Sequence, residues 1–96
     1  MSYIMEIAKE RYKDDKIRIE EYEKEINSLP KGCVVQQKGG YYYLSYKEKG
    51  KGKSKYIGKD PKKMQELINK RKHYKSLIKE LKKEMKEIEY MLAYKE

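Results

Sequence analysis

Two apolar stripes, one near each end of the chain, constrain its folding more than any other feature. Met5, Ala8, Tyr12, Ile19, Tyr22, Ile26 and Leu29 follow one another at alternating spacings of three and four residues, with Asp15 in the one polar slot. That spacing lines one face of a helix in the manner of a coiled-coil seam. A second stripe, Met64, Leu67, Tyr74, Ile78, Leu81, Met85, Ile88 and Leu92, repeats the pattern with Arg71 in its polar slot. Two such helices joined by a compact insert fold back on each other. The expected antiparallel hairpin puts Leu29 near Met64 and Met5 near Ile88, and makes Tyr22 and Arg71 neighbours able to form a cation–π contact.

Turn chemistry sets the helix ends. Ser2 can cap the first helix, and Pro30 followed by Gly32 stops it near Ser28. Asp60-Pro61 starts the second, because Asp accepts hydrogen bonds from free first-turn amides while Pro is preorganised at the first helical position. The expected helices run from about 2 to 28 and from about 61 to 95. At 1.5 Å per residue the second is a rod of about 50 Å.

Between them lie three short runs rich in β-branched or aromatic residues: CVVQQ (33–37), YYYLSYK (41–47) and KSKYIGK (53–59). Gly39-Gly40 supplies the positive φ of a tight hairpin turn, and residues 48–52 read as a longer, mobile loop. The fold class that follows is α+β: a long antiparallel helical hairpin with a small three-stranded antiparallel sheet inserted at its tip, as a single domain over residues 1–96. The period of two puts Tyr42, Leu44 and Tyr46 on one face of the middle strand, with Leu44 marking the inward side, and Tyr41, Tyr43, Ser45 and Lys47 on the other. Whether Tyr56 or Ile57 points inward is left open.

At 96 residues, a chain buries only roughly 60% of its unfolded surface. A two-helix seam also leaves Ile4, Ile7, Ile17, Ile68, Leu77 and Met91 without cover, so a homodimer forming a four-helix bundle is expected. No apolar run approaches the ~18 residues that a membrane span requires, and a cytoplasmic location is expected. The single Cys33 cannot form an internal disulfide and reads as a small buried apolar group. One histidine, His73, provides no metal cluster and no catalytic pairing. GKGKS (50–54) lacks the upstream Gly and the strand-to-helix context of a phosphate-binding loop. No enzyme, cofactor, metal or small-molecule substrate is indicated.

The charge is uneven. Residues 1–29 hold 6 basic and 8 acidic side chains, residues 30–83 hold 17 and 4, and residues 84–96 hold 2 and 4. A molecule so polarised attracts polyanions. All 11 aromatic residues are tyrosines, which combine a ring with a hydroxyl at a wet surface. The candidate nucleic-acid-binding set is therefore Lys38, Tyr41, Tyr43, Ser45, Lys47, Lys51, Lys53, Lys55, Lys59 and Arg71. In it, lysines meet phosphates while polar and aromatic groups on an outward sheet face reach base edges.

LPKG (29–32), YYYLSYKEKGKGKSKYIGKD (41–60) and RKHYKSLIKELKKE (71–84) together resemble a small uncharacterised prokaryotic family, a domain of unknown function with the order helix, LPKG, YYYL, KSKYIGK, helix. More distantly, residues 39–68 are similar to the arm-type DNA-binding domain of tyrosine recombinases. That resemblance implies a three-stranded sheet entering the major groove, with Tyr41, Tyr43, Lys47, Lys53 and Lys55 as its contacts. The long first helix and the lack of a following catalytic domain depart from that pattern.

The function expected from sequence is non-enzymatic nucleic-acid binding, to duplex DNA ahead of RNA. The alternative is a phage or mobile-element protein-interaction module that docks on a nucleic-acid-binding complex, such as an anti-CRISPR inhibitor of a host defence nuclease.

Overall fold

A computed structural model describes residues 3–94. In chain order these form helix α1 (Tyr3–Asn27), strands β1 (Cys33–Gln36), β2 (Tyr42–Glu48) and β3 (Lys51–Gly58), and helix α2 (Lys62–Ala93). The architecture is α+β, two helices flanking in sequence a three-stranded antiparallel sheet of order β1-β2-β3. The described residues form two compact units: residues 3–26 with 74–94, and residues 27–73. No helix among the described residues is long and apolar enough to cross a membrane.

The first unit is an antiparallel helix pair. Arg11 Nε donates to Glu84 Oε1 at 2.9 Å, the Tyr12 hydroxyl to Glu89 Oε2 at 3.1 Å, and the rings of Tyr22 and Tyr74 lie 5.2 Å apart. Every described member of the α1 stripe is buried or half-buried, and Ile78 and Ile88 are buried on α2. The register is offset from the heptad expectation. Arg11 meets Glu84 and Tyr22 meets Tyr74, the latter three residues beyond the Arg71 that the pattern suggested. Paired rings bury apolar surface and add a tilted aromatic contact.

Asp15 occupies a seam position and is only 4% exposed. Around it stand Arg11, Asp14 and Arg18 of α1 and Leu81 and Glu84 of α2, and its Oδ2 has no hydrogen-bond partner. Loss of solvating water, followed by the hydrogen bond and negative field of Glu84, pushes the Asp15 carboxyl up to about 6, against the pull of Arg11 and Arg18. Glu84 is shifted the other way, held low by its hydrogen bonds with Asp15 and Arg11. Of the two, Asp15 is therefore the one that takes up a proton first as pH falls.

The sheet unit owes its shape to its turns. Lys49 (φ 52°) and Gly50 (φ 80°) form a two-residue turn with both residues left-handed. Such a turn matches the twist of a hairpin. The expected mobile loop is therefore a tight corner, and Lys51 and Gly52 already belong to β3. At the other hairpin, Gly39 and Gly40 take positive φ as expected. There the Gln37 amide donates to the Tyr41 carbonyl at 2.9 Å and the Gly40 amide to the Gln37 carbonyl at 3.2 Å. Gly32 has φ 110°, and a Cβ there would run into the Ser45 carbonyl oxygen and press on Tyr46 Cβ at 2.9 Å. The glycine of LPKG thus lets the chain enter the sheet against β2. At the exit, the Lys62 amide donates to Asp60 Oδ1 at 3.0 Å, the cap that the sequence indicated.

Leu44 is buried on β2 and Ile68, at 3% exposure, on the first turns of α2. This corrects the sequence assignment, which gave Leu67 to the seam and left Ile68 uncovered: Leu67 is 39% exposed. Met64 and Arg71 of the stripe are half-buried, so the buried face of these turns, which belong to the unit that contains the sheet, is rotated from Leu67 towards Ile68. Cys33 is exposed rather than buried, because it opens an edge strand that pairs on one side only.

Two outcomes follow. A proton held more tightly by folded than by unfolded Asp15 stabilises the fold fully below about pH 4, and that contribution is lost as pH rises through about 6. Glu84 gives the opposite slope at lower pH, where its depressed carboxyl finally protonates. Asp15→Asn keeps the neutral shape. Thermal melts by circular dichroism should show its midpoint above wild type at pH 7.5, by about 4–8 °C per kcal/mol gained, with the gain shrinking towards pH 4.5. A lower midpoint at pH 7.5 would mean that the fold uses the ionised carboxylate. Separately, Gly32→Ala should cost at least ~2 kcal/mol in urea unfolding from backbone strain and overlap. Gly52→Ala, where nothing lies within 4 Å, should stay within about 0.5 kcal/mol of wild type.

Candidate nucleic-acid interface

Pairing register decides which side chains of the sheet stand together, because residues directly opposite in an antiparallel pair project to the same face. β2 and β3 pair Tyr43 with Tyr56, Leu44 with Lys55, Ser45 with Ser54, Tyr46 with Lys53, Lys47 with Gly52 and Glu48 with Lys51. β1 adds Cys33 opposite Ser45, Val34 opposite Leu44, Val35 opposite Tyr43 and Gln36 opposite Tyr42. One face therefore carries Val35, Tyr43, Tyr56, Ser45, Ser54 and Lys47. The other carries Val34, Leu44, Tyr42 and Tyr46 together with Lys51, Lys53 and Lys55.

Ring contacts agree with this division. Tyr43 meets Tyr56 edge-on at 5.4 Å, and Tyr41 lies tilted against Tyr56 at 6.0 Å. Lys59 Nζ stands 5.7 Å from the centre of the Tyr41 ring, within cation–π range. Tyr56 is 58% exposed and Tyr41 37%. The opposite face bears the Lys53–Glu48 ion pair at 3.5 Å and a shallow hollow of about 320 Å³ whose lining includes Pro30, Leu44, Tyr46, Lys31 and Lys55.

The expectation of one outward surface shared by Tyr41, Tyr43 and the lysines is thus corrected. Lys51, Lys53 and Lys55 alternate onto the face opposite Tyr41 and Tyr43, because the two-residue turn sets an even register across the hairpin. Ser45, Lys47 and Lys59 remain with the tyrosines, Lys38 is exposed in the first turn, and Arg71 lies half-buried on α2 with its Nε buried and without a hydrogen-bond partner. Tyr56 is the residue that sequence reasoning missed. Its place opposite Tyr43 follows from the Lys49-Gly50 turn, whose register the residue pattern alone did not fix; beyond it a β-bulge where Tyr42/Tyr43 meet Gly58/Tyr56 inserts Ile57. Ile57 is half-buried.

β1 pairs only as far as Ser45, so from Tyr46 to Lys53 the sheet is a two-stranded ribbon. Lys47, Lys49, Lys51 and Lys53 lie along that ribbon, all exposed. Residues 27–73 hold 13 basic and 3 acidic side chains, against 12 and 13 in the rest of the chain. The whole cationic excess belongs to the unit that contains the sheet. Among the described residues no three His, Cys, Asp or Glu side chains are grouped to hold a metal ion.

These features define a small α+β protein whose basic sheet has an aromatic face and a lysine-bearing face. The chain belongs to the family described as a domain of unknown function, DUF6788, which matches residues 12–66, more than half of its length. The match embraces all three strands and both hairpin turns. No curated protein and no solved structure matches the chain significantly.

The tyrosine cluster adds a modest amount of stability. Tyr56→Ala removes both ring contacts of an exposed side chain and should cost about 0.5–1.5 kcal/mol, leaving a folded protein by circular dichroism. A loss above about 3 kcal/mol would mean that Tyr56 belongs to the core.

Proposed function

We propose that the protein binds nucleic acid without transforming it, using the sheet of residues 33–58, with DNA ahead of RNA as its partner. One observation carries this reading: the entire positive excess of the chain lies in the unit formed by residues 27–73. Solubility alone gives no reason to gather charge in one half. A polyanion does, since each phosphate neutralised releases condensed counterions.

The shape of the sheet supports duplex DNA as a target. The major groove is about 12 Å wide and admits a two-stranded β-ribbon, the form that the sheet takes beyond Ser45. Lys47 on one face of that ribbon and Lys51 and Lys53 on the other could meet the phosphates of both groove walls. The resemblance to recombinase arm domains belongs to this proposal, as it implies a three-stranded sheet followed by a helix. So does pairing of two copies through Ile4, Ile7, Ile17 and Met91, exposed apolar groups of the helices. The same groups favour the second reading, docking on a protein complex such as a defence nuclease, because nucleic acid makes little use of isoleucine.

Fluorescence anisotropy with a labelled 20-base-pair duplex at four salt concentrations tests the proposal. Log affinity should fall linearly with log salt, by about 0.9 per phosphate engaged. The triple variant Lys51→Glu, Lys53→Glu, Lys55→Glu should lose at least tenfold in affinity and flatten the slope by roughly two, while its sedimentation matches wild type. Salt-independent binding, or an unaffected triple variant, would favour the protein-docking reading.

A further inference from the structure

We propose that the tyrosine face is a stacking platform for unpaired bases, so that the preferred target carries single-stranded nucleotides beside a duplex. The inference rests on the nucleic-acid reading above and specifies what the second face of the sheet does within it.

The centre of that face is uncharged: Val35, Tyr41, Tyr43 and Tyr56, with the hydroxyls of Ser45 and Ser54 alongside. Its cations stand at the margin, Lys47 on the ribbon and Lys59 beside Tyr41. An aromatic centre with a cationic rim is the arrangement that single-stranded nucleic acid requires, as bases stack inward while their phosphates stay in water near positive charge. A fully paired duplex cannot stack on it, because its bases present only edges in the groove and keep their ring faces on each other.

The ring geometry points the same way. The mutual contacts at 5.4 and 6.0 Å make the three rings lean on one another, with tilts of 68° and 44°. Rings locked together in this way lose little further freedom on binding and offer a ring surface instead of freely projecting hydroxyls. Tyr56, 58% exposed at the middle of the cluster, is the ring on which a base would lie. The exposed lysines that alternation sends to the opposite face, Lys51, Lys53 and Lys55, are left to the duplex backbone, with Lys53 exchanging its exposed ion pair with Glu48 for a phosphate, so the two faces take different parts of one target.

Three DNAs of one sequence test this: a plain duplex, the same duplex with a five-nucleotide overhang, and the overhang form with abasic sites in place of its bases. The overhang should raise affinity about tenfold, since base–aromatic stacking is worth ~1–3 kcal/mol per base. Abasic sites keep the phosphates and should abolish the gain. Tyr56→Ala should erase the increment and leave plain-duplex affinity unchanged, and Tyr56→Phe, which keeps the ring, should retain it. An abasic overhang that binds as well as the normal one, a Tyr56→Ala loss equal on all DNAs, or a Phe variant as weak as Ala would each overturn the platform and leave the charge-based reading standing. If the wild-type protein binds none of the three, both readings fall together.

Discussion

The pairing of β2 with β3 across the Lys49-Gly50 corner is the constraint on which the chemistry of this protein depends. A two-residue turn leaves no slack, so the register of the whole hairpin is set at its tip. With Glu48 opposite Lys51, Lys53 falls opposite Tyr46 and Lys55 opposite Leu44, and the odd-numbered lysines of β3 gather on one side. A slip of one residue would bring those lysines onto the face of Tyr43 and send Tyr56 away from it. The division of the sheet into an aromatic and a cationic side is therefore a consequence of turn geometry. Lys49 adopts a backbone conformation that disfavours a side chain, and it is the only described non-glycine residue to do so.

The helix pair rests on a different balance. Its seam is thin: Ala8, Ile19, Ile78 and Ile88 are its buried apolar residues, and tyrosines and methionines fill the flanks. Placing Asp15 in such a seam sacrifices apolar burial. In return the seam gains a defined partner, since Asp15 meets Glu84 and Arg11 at one alignment of the helices and not at neighbouring ones, although its Oδ2 stays without a hydrogen bond. Single polar residues at seam positions elsewhere specify register at a cost in stability. The aromatic contact of Tyr22 with Tyr74, at the same alignment, adds to that choice.

Much of this could be read from the chain without coordinates. Both helices, their capping by Asp60 and termination before Pro30, the three strands, the glycine turn at 39–40 and the burial of Leu44 all follow from signals local in sequence: a repeat, a cap, a turn dipeptide. Of the proposed contact residues, Ser45 and Lys47 keep company with Tyr41 and Tyr43 as alternation along one strand suggested, whereas Lys59 joins them through a contact with the Tyr41 ring that no local pattern gave. The concentration of charge between residues 30 and 83 was equally visible, since counting needs no fold.

Sequence by itself determined which segments are helix and strand and which half of the molecule is cationic, because each of these depends on residues within a few positions of one another. Only the tertiary structure decided that Lys51, Lys53 and Lys55 lie across the sheet from Tyr41 and Tyr43, that Tyr56 completes an aromatic cluster, that Ile68 and not Leu67 is buried, and that Cys33 is open to solvent. Each of those outcomes rests on a pairing partner, a bulge or a packing face supplied by a distant part of the chain. A helical or alternating pattern shows that a side chain has a buried side, but what covers that side is settled by which other element arrives there.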